Sequence, residues 1–558
     1  MDFFGKGWLP SQGLADTLPD DLVRAVRLRE RLSQLFSDRG YSGIETPTFE
    51  SLELFRSGPS RLPEGQLWKT QAPDGSMLVV RPDNTTPAVR LACTRLADAA
   101  LPIRLHYIQT VLRYPDGNRA EPVESRQAGV ELLGETAPGA DAEVIALAIE
   151  ALRTAGLSSF QIDIGQVGFF KGLMEEAGLA EADAEQMRAL IEAKNSLGIT
   201  LALKEARVRS EGERSRIASR LQKLPTLFGG IEVLDEARRM SSHPRCQDAL
   251  DNLHTVYQLL RADGLDRYIS IDLGMVHSIN YYTGIVFRGL TGHLGQPLLS
   301  GGRYDALPAA LGRPMGAVGF AIKLEQLLTA QEREAAQASG NGGGVRLRTE
   351  TVPPITLAVA KGRLALDTFA RLEAAGIDCT EARAPGRKLI VDDPSGRIRF
   401  MLVKPVDVPT YVDHGVADAG VAGKDTLMEE NRQLYELLDL GVGVCRLCVA
   451  GDPLKHPEVL RGAVYRVATK YPNIAKEFYA RRGQAIEIIP LGGSVELAPL
   501  VGLSDVILDI VESGGTLKAN GLEVLEEICP VSARLVVNRV SLKTKTESIR
   551  ALLKALEP

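Results

Sequence analysis

The sequence lacks three features, and each absence excludes a class of protein. Its six cysteines in 558 residues are too sparse for a disulfide framework. The formal net charge of -6 argues against a protein whose main task is holding nucleic acid, because neutralising phosphates requires a basic face. No stretch approaches the roughly 18 consecutive apolar residues of a membrane helix, and residues 1–21 lack the basic segment and apolar run of a secretory signal. These absences predict a cytoplasmic enzyme that contacts no membrane.

One cysteine pair has the spacing of a metal-binding motif. Cys445 and Cys448 form a C-x-x-C, but no second pair follows them. The surrounding stretch, GVGVCRLCVAG, is typical of a strand, so the pattern favours buried thiols over a zinc site.

A chain of this length is too long for one hydrophobic core, and roughly three or four domains are expected. The clearest boundary is the segment 331–353, which begins polar and helical, passes through the glycines 342–344 and runs into the proline pair 353–354. Glycine raises the entropy of the chain and proline blocks helix continuation, so this segment is predicted to be a linker.

The sequence pattern differs on the two sides of this linker. Before it, residues 19–40 predict an amphipathic helix, and strand candidates joined by long polar loops favour an antiparallel-rich α+β domain. The expected buried stripe of that helix contains Leu22, Val26, Arg29, Leu32 and Leu35/Phe36. After the linker, residues 355–360 (ITLAVA) predict a buried strand and residues 361–376 a helix, which together begin an α/β domain.

The most informative stretch is DVILDIVESGGTLKANGLEVL, residues 505–525. Its apolar residues at 506–508 and 510–511 predict a buried parallel strand. The polar residues around the end of this strand are Asp509, Glu512, Ser513, Gly514, Gly515 and Thr516. Glycines let backbone N–H groups approach a phosphate, small hydroxyls donate to it, and the two acids can accept hydrogen bonds from ribose hydroxyls. A strand-to-helix turn with two incidental glycines is the alternative, but the order of residues favours a ribose-phosphate site.

This loop resembles the phosphoribosyl-pyrophosphate loop of phosphoribosyltransferases, and further segments narrow the resemblance. They are residues 357–364, 387–393, 407–427, 468–473, 491–510 and 537–545. In this order they are similar to the short form of ATP phosphoribosyltransferase over nearly all of residues 354–558. That family joins N1 of the adenine of ATP to C1 of 5-phosphoribosyl 1-pyrophosphate and releases pyrophosphate, the first step of histidine biosynthesis. The resemblance implies Mg²⁺ carried by the pyrophosphate, without dedicated protein ligands.

The same resemblance implies roles for two arginines. Arg363 and Arg387 match the two arginines of the family, and we assign them to stabilise the negative charge that develops on the departing pyrophosphate. The alternative is that they are surface arginines, which applies above all to Arg387 beside Lys388.

Four further residues are expected to line the cleft on the ATP side: Lys361, Lys404, Ser494 and Glu496. The family usually has arginine where this chain has Lys404, and lysine keeps the charge but lacks the bidentate fork. Ser494 and Glu496 have an alternative interpretation, in which they are a helix N-cap and an acid in the first turn.

Residues 1–330 resemble the catalytic core of class II histidyl-tRNA synthetase. The segments that carry the resemblance are 44–50, 80–90, 111–134, 279–284 and 316–328. The positions expected to hold histidine are present as Asp83, Thr85, Arg113, Gln127, Glu131, Tyr281 and Tyr282. Carboxylates can pair with the ammonium and imidazole groups of histidine, and amide and hydroxyl groups can fix its ring. Taken singly, Gln127 and Glu131 could also face solvent, and the two tyrosines could be core and surface neighbours.

The positions expected to activate the amino acid are changed. His277, Asn280, Pro115 and Gln326 stand where the family has an arginine, an aspartate, an acidic residue and an arginine. Losing fixed cations where a carboxylate attacks phosphorus removes transition-state stabilisation. A transferase also follows where the family has its anticodon-binding domain. The resemblance therefore implies the regulatory subunit that accompanies the short transferase, with histidine as an allosteric inhibitor and no tRNA charging.

The expected architecture is multidomain, α/β and α+β. A class II aminoacyl-tRNA-synthetase-like antiparallel-sheet domain (1–330) and a linker (331–353) precede a two-lobed, periplasmic-binding-protein-like α/β phosphoribosyltransferase. Its expected parts are lobe I (354–443), lobe II with the phosphoribosyl-pyrophosphate loop (444–530) and a return to lobe I with a C-terminal helix (531–558). Both resemblances imply dimer interfaces and hence a homo-oligomer. Two alternatives are a histidine-activating synthetase-like protein with an accessory nucleotide-binding domain, and a pair of non-catalytic ligand-binding modules.

Overall fold

The computed structural model describes residues 14–56, 58–114, 123–193, 195, 198–199, 202–203, 211–276, 282–340, 354–360, 362–453 and 464–557. The chain divides into two compact units, Met1–Leu347 and Arg348–Pro558. Among the helices within these described residues, none has both the length and the apolar character needed to cross a bilayer.

The first unit is built on antiparallel sheets. Its strands are β1 (Ser42–Gly43), β2 (Phe49–Ser51), β3 (Lys69–Gln71), β4 (Met77–Val80), β5 (Ile103–Leu112), β6 (Glu124–Leu133), β7 (Gln161–Gln166), β8 (Phe228–Gly229), β9 (Ile269–Asp272), β10 (Ile285–Leu290), β11 (Leu299–Arg303) and β12 (Ala317–Lys323). Nine form one sheet in the order β1-β5-β6-β12-β11-β10-β7-β9-β8, and β2, β4 and β3 form a second. In the nine-stranded sheet only β1 with β5 and β7 with β9 pair in parallel. This arrangement confirms the antiparallel-sheet prediction.

The helices of the first unit are α1 (Pro19–Asp38), α2 (Glu53–Arg56), α3 (Thr85–Thr94), α4 (Pro138–Thr154), α5 (Val167–Ala177), α6 (Glu181–Glu192), α7 (Glu211–Lys223), α8 (Val233–Met240), α9 (Pro244–Ala262), α10 (Ala306–Ala310) and α11 (Leu324–Gly340). Residues of α1, α4, α5 and α9 share one hydrophobic core with Ala128, Val130 and Leu132 of β6. Successive side chains of a strand point to opposite faces. Gln127 and Glu131 therefore lie on the face of β6 away from this core, toward α3.

The buried stripe of α1 differs from the predicted one. The structure buries Ala25, Leu28, Leu32 and Phe36, whereas Leu22 is 44% exposed. The prediction was right for Leu32 and Phe36 and wrong for Leu22, because apolar residues occur on more than one side of this helix. The face that meets α4 and the sheet is fixed by tertiary packing, which the periodicity of one helix does not specify.

The second unit contains two mixed sheets. Its strands are β13 (Ile355–Ala360), β14 (Ile390–Asp392), β15 (Ile398–Val403), β16 (Ala419–Gly423), β17 (Tyr435–Asp439), β18 (Cys445–Gly451), β19 (Tyr465–Thr469), β20 (Ile486–Pro490), β21 (Val506–Val511), β22 (Glu523–Val531) and β23 (Ala533–Val537). One sheet has the order β14-β15-β13-β16-β23-β17, and the other β20-β19-β21-β18-β22. We call the parts around the six-stranded and the five-stranded sheet lobe I and lobe II. The two lobes agree with the predicted fold class.

The helices of the second unit are α12 (Arg363–Ala374), α13 (Thr380–Arg383), α14 (Val408–Asp413), α15 (Lys424–Glu430), α16 (Pro472–Ala480), α17 (Leu497–Leu500), α18 (Gly515–Ala519), α19 (Ser541–Thr544) and α20 (Thr546–Leu556). The chain passes between the lobes twice. The segment from β17 to β18 meets the junction of β22 and β23, where the N–H of Ala533 donates to the carbonyl oxygen of Val442 at 2.9 Å. The two crossing segments therefore contact each other at the junction of the lobes.

The strand that leads to the predicted ribose-phosphate loop, β21, is central in lobe II. It runs parallel to β19 on one side and antiparallel to β18 on the other. The predicted parallel pairing of this strand is therefore right for β19 and wrong for β18. Its antiparallel neighbour, β18, is the strand by which the chain enters this sheet from lobe I, and it runs opposite to β19 and β21.

Candidate functional sites

A cavity of about 520 Å³ lies between the two lobes of the second unit. All six residues of the predicted loop line it: Asp509, Glu512, Ser513, Gly514, Gly515 and Thr516. The remaining lining includes Leu364, Gly423, Asp425 and Thr426 from lobe I and Glu496 from lobe II. The loop thus opens into a concave space that has walls from both lobes.

The loop bends where its sequence allows it to. Gly514 has φ 75, a left-handed conformation that a residue with a side chain adopts only at a cost of about 1–2 kcal/mol. The turn places Gly515 at the start of α18, and the N–H of Gly515 donates a hydrogen bond to Ser513 Oγ at 3.4 Å. The first backbone N–H groups of a helix and a small hydroxyl are therefore presented together, which is the arrangement that binds a phosphate.

Asp509 is a half-buried carboxylate at the edge of this loop. Its Oδ1 accepts a hydrogen bond from the N–H of Ile510 at 2.9 Å. Burial raises the pKa of Asp509, and the carboxylates of Glu496 and Asp425 act in the same direction, whereas the ammonium group of Lys470 opposes it. Carboxylates from both lobes therefore face one space and act on one another.

The other predicted residues of the transferase have different positions. Arg363 begins α12, next to the cavity-lining Leu364, but its side chain lies outside the part of the chain that the structure describes, as does the whole of Lys361. Arg387 and Lys404 are exposed and lie outside the lining of the cavity.

The sequence left two interpretations for Glu496 and Ser494, either as residues that line the cleft or as a helix cap. The structure places the two residues differently. Glu496 lines the cavity and directly precedes α17. Ser494 does not line the cavity, and its φ of 48 is left-handed. No side-chain hydrogen bond caps α17, so the helix-cap interpretation of Ser494 is wrong.

The C-x-x-C pair lies on β18. Cys445 packs with Leu447 and Val449 on one face of the strand, and Cys448 packs with Ala450 on the other. Two thiols on opposite faces of a strand cannot bind one metal ion. Over the residues that the structure describes, no three His, Cys, Asp or Glu side chains are grouped as metal ligands.

In the first unit, the predicted histidine-binding residues centre on Glu131. This residue is fully buried in β6, and its Oε1 accepts a hydrogen bond from the hydroxyl of Tyr107 at 2.9 Å. The hydroxyl of Tyr304 donates to Oε2. Burial raises the pKa of Glu131 to about 7, although the hydrogen bonds from the hydroxyls act in the opposite direction. The solvent-facing alternative for Glu131 is therefore wrong.

A glycine makes room for this carboxylate. Gly319 pairs with Glu131 across β6 and β12, and a Cβ atom at that position would lie 1.9 Å from Glu131 Oε2 and 2.4 Å from the carbonyl oxygen of Val130. Any side chain here would displace the carboxylate.

Polar residues before and along α3 extend the group. Asp83 Oδ1 accepts a hydrogen bond from the N–H of Thr86 at 2.8 Å, and Thr85 Oγ1 lies 3.4 Å from the hydroxyl of Tyr107. Burial raises the pKa of Asp83, while the hydrogen bonds from Thr86 and the charge of Arg113 act in the opposite direction. Thr85, Tyr107 and Glu131 thus form one hydrogen-bonded group, and the charge of Asp83 acts on Glu131; we call these four residues the Glu131 cluster.

Three more predicted residues complete the description. Asn84 Nδ2 donates to Gln127 Oε1 at 3.3 Å, and both Nε and Nη2 of Arg113 donate to Gln66 Oε1, at 2.9 and 2.6 Å. Tyr282 is 7% exposed and belongs to the same hydrophobic cluster as Tyr304.

Some of the remaining positions cannot be placed, and others had not been predicted. Tyr281 lies outside the described residues, together with His277, Asn280 and Pro115. Tyr107 and Tyr304 were not predicted from the sequence, because a buried tyrosine hydroxyl has no local sequence signal.

Comparisons with known proteins agree with this division. A family model described as histidyl-tRNA synthetase matches residues 13–327, more than half of the chain, and one described as ATP phosphoribosyltransferase matches residues 404–558. The ATP phosphoribosyltransferase regulatory subunit of Acetivibrio thermocellus is 40% identical over 326 residues, which are 58% of this chain and 77% of that protein. The ATP phosphoribosyltransferase of Lachnoclostridium phytofermentans is 58% identical over 205 residues, 36% of this chain and 95% of that protein.

A solved structure shows a related likeness. A protein of Bacillus halodurans, described as an ATP phosphoribosyltransferase regulatory subunit/histidyl-tRNA synthetase, is 31% identical with a TM-score of 0.54, and the match covers 71% of this chain and 93% of that one. The fold and the two sites define a class II synthetase-like unit joined to a phosphoribosyltransferase. The chain belongs to the ATP phosphoribosyltransferase regulatory subunits over its N-terminal part and to the ATP phosphoribosyltransferases over its C-terminal part.

Proposed function

We propose that the cavity between the lobes is where N1 of the adenine of ATP attacks C1 of 5-phosphoribosyl 1-pyrophosphate, forming N1-(5-phosphoribosyl)-ATP and pyrophosphate, the first step of histidine biosynthesis. One observation carries this proposal: the six residues chosen from the sequence as a ribose-phosphate loop all line one cavity. The amides at the start of α18 with Ser513 and Thr516 would bind the 5-phosphate, and Asp509 and Glu512 the ribose hydroxyls.

Leaving-group stabilisation completes the proposed chemistry. Arg363 and Arg387 are proposed to stabilise the charge that develops on the departing pyrophosphate, and Lys361 and Lys404 to contact ATP. Mg²⁺ would neutralise pyrophosphate charge, and the cavity fits a metal that arrives with the substrate: Mg²⁺ typically takes one or two carboxylates with waters and phosphates, and carboxylates line this cavity.

Gly514→Leu tests the loop. The substitution forces a branched side chain into a left-handed position, so kcat/KM for 5-phosphoribosyl 1-pyrophosphate should fall at least about 100-fold, the effect expected when oriented donors are lost. Gly521→Leu is the matched control, because Gly521 also has positive φ (68) but lies beyond α18 and outside the cavity lining. Wild-type turnover of Gly514→Leu would show that the loop does not bind the substrate.

We also propose that histidine, the end product of the pathway, binds at the Glu131 cluster and inhibits the transferase. The support is that Thr85 and Glu131, chosen from the sequence as amino-acid ligands, belong to one hydrogen-bonded group with Tyr107, and that the charge of Asp83, chosen with them, acts on Glu131. The chain is further proposed to act in the cytoplasm as a homo-oligomer, without charging tRNA.

Glu131→Gln tests the inhibitor site. At about pH 8, above the folded pKa of Glu131, removing the charge should raise the histidine concentration for half-inhibition roughly 10- to 100-fold, since hydrogen bonds to charged groups contribute about 1.5–3 kcal/mol. Glu143→Gln is the control, because Glu143 also accepts a tyrosine hydroxyl, that of Tyr41 at 2.9 Å, but pairs with Arg104 elsewhere in the unit. Equal histidine sensitivity in both variants and the wild type would exclude this site.

A further inference from the structure

Two helices from different lobes meet beside the cavity. Glu429, near the end of α15 in lobe I, accepts hydrogen bonds from the backbone N–H groups of Asn473 (3.0 Å) and Ile474 (3.1 Å) in the first turn of α16 in lobe II. The side-chain amide of Asn473 donates to the carbonyl oxygen of Glu429 at 3.1 Å. The first N–H groups of a helix lack partners within it, so lobe I supplies the cap of a lobe II helix.

Asp425 reaches the same junction from the cavity side, one helical turn before Glu429. Its Oδ2 accepts a hydrogen bond from the hydroxyl of Tyr471 at 2.7 Å, and Tyr471 is 7% exposed. Its Oδ1 lies against Gly423, where a Cβ atom would be 2.2 Å away. Both Asp425 and Gly423 line the cavity, so Tyr471 fixes one oxygen of a carboxylate that belongs to the cavity wall.

The backbone of Tyr471 is anchored to the strand that carries the ribose-phosphate loop. Thr469, which is fully buried, accepts a hydrogen bond from the N–H of Tyr471 at 2.8 Å through its Oγ1. The same hydroxyl donates to the carbonyl oxygen of Leu508 at 2.7 Å, next to Asp509. Tyr471 therefore links the loop of lobe II to a carboxylate of lobe I.

The chemistry of the cavity limits what this carboxylate can contact. ATP and 5-phosphoribosyl 1-pyrophosphate are polyanions, so apart from Mg²⁺ carried by the pyrophosphate, an ionised carboxylate interacts with them only by accepting hydrogen bonds. The donors that the substrates offer are their ribose hydroxyls and the exocyclic amine of adenine. Because the proposed function assigns the ribose of the phosphoribosyl substrate to Asp509 and Glu512 in lobe II, the donors that remain for lobe I belong to ATP.

We propose that Tyr471 is a positioning residue of the transferase, which holds the Asp425 carboxylate so that its other oxygen accepts a hydrogen bond from an N–H or O–H donor of ATP. This inference rests on the proposed function, because it requires ATP in the cavity. The cap formed by Glu429 keeps the two helices at the spacing that the Tyr471–Asp425 hydrogen bond requires.

A double-mutant cycle on the full chain tests this role, with kcat and KM for each substrate measured by pyrophosphate release. Tyr471→Phe removes only the hydroxyl and Asp425→Asn removes only the charge. Each should lower kcat/KM for ATP roughly 10- to 100-fold, the equivalent of a lost hydrogen bond to a charged group, and leave KM for 5-phosphoribosyl 1-pyrophosphate unchanged. The double variant should be no worse than Asp425→Asn alone, because Tyr471 acts through Asp425.

Tyr479→Phe is the matched control, since Tyr479 is buried in the same hydrophobic cluster as Tyr471, whereas Tyr471 is the tyrosine whose hydroxyl donates to the cavity-lining Asp425. Additive effects in the double variant, or an equal loss for Tyr479→Phe, would show a structural role and overturn the proposal. An unchanged KM for ATP with a raised KM for the phosphoribosyl substrate would also overturn it. If the wild-type chain releases no pyrophosphate from the two substrates, the proposed function itself fails, which is a separate result.

Discussion

The buried carboxyl of Glu131 makes the stability of the first unit depend on pH, and Glu131→Gln isolates this dependence. Burial raises the pKa of Glu131 from an ordinary 4.5 to about 7, so the folded chain keeps a proton that the unfolded chain releases between these values. Where the folded state binds more protons, stability falls as pH rises. One pKa unit corresponds to about 1.4 kcal/mol, so ionisation of Glu131 should cost the folded unit roughly 3 kcal/mol once the pH exceeds its folded pKa.

Glutamine at this position stays neutral, and it can accept a hydrogen bond from one tyrosine hydroxyl and donate to the oxygen of the other, so Glu131→Gln removes the pH-dependent cost. Calorimetric melting temperatures of the full-length wild type and variant at about pH 5 and about pH 8 measure this cost. We expect similar melting temperatures at the lower pH, and a variant that melts about 5 °C or more above the wild type at the higher pH.

Glu143→Gln is the matched control, because the stability that Glu143 contributes depends on pH in the opposite direction. The hydrogen bond from Arg104, with its charge, lowers the pKa of Glu143, so this residue contributes stability that is lost on acidification. Glu143→Gln should therefore be less stable than the wild type at neutral and alkaline pH, and the two should converge as the pH falls below the ordinary pKa of glutamate. A constant offset between the Glu131→Gln and wild-type curves across the whole range would refute the reasoning, because it would mean that Glu131 does not titrate between these values.

Two further predictions concern packing and catalysis. Gly319→Ala should destabilise the first unit by about 1–3 kcal/mol, because its methyl group would overlap Glu131 Oε2 and the Val130 carbonyl oxygen. Chemical denaturation compares this variant with Gly139→Ala, where no atom lies within 4 Å of the added methyl group. Equal stability of the two variants would contradict the steric argument. Arg387→Ala should lower kcat roughly 100-fold if Arg387 stabilises the leaving group; a wild-type kcat, like that expected of the neighbouring Lys388→Ala, would show a surface arginine.

Sequence reasoning succeeded where structure is determined locally. The strand at 355–360 was predicted with its observed bounds, because a short apolar run that contains one threonine and ends at a Lys-Gly pair has few alternatives. The loop at 509–516 was identified because its backbone conformation and its chemistry are encoded in adjacent residues, including a glycine at the left-handed position of Gly514.

Contacts between distant residues were not predictable in the same way. Glu131, Tyr107 and Tyr304 come from three separate parts of the first unit, and only the register of β5, β6, β11 and β12 brings them together. Tyr471 and Asp425 are 46 residues apart and belong to different lobes. The family resemblance named residues that line the cavity and residues of the Glu131 cluster, but the side chains that hold them depend on tertiary packing.

The measurement that tests the account most directly is pyrophosphate release by the full chain under omission of each component. The account predicts release that requires both ATP and 5-phosphoribosyl 1-pyrophosphate and is diminished by histidine. Release from ATP and histidine without the phosphoribosyl substrate would indicate amino-acid activation and contradict the account. No release from the complete mixture would contradict it as well.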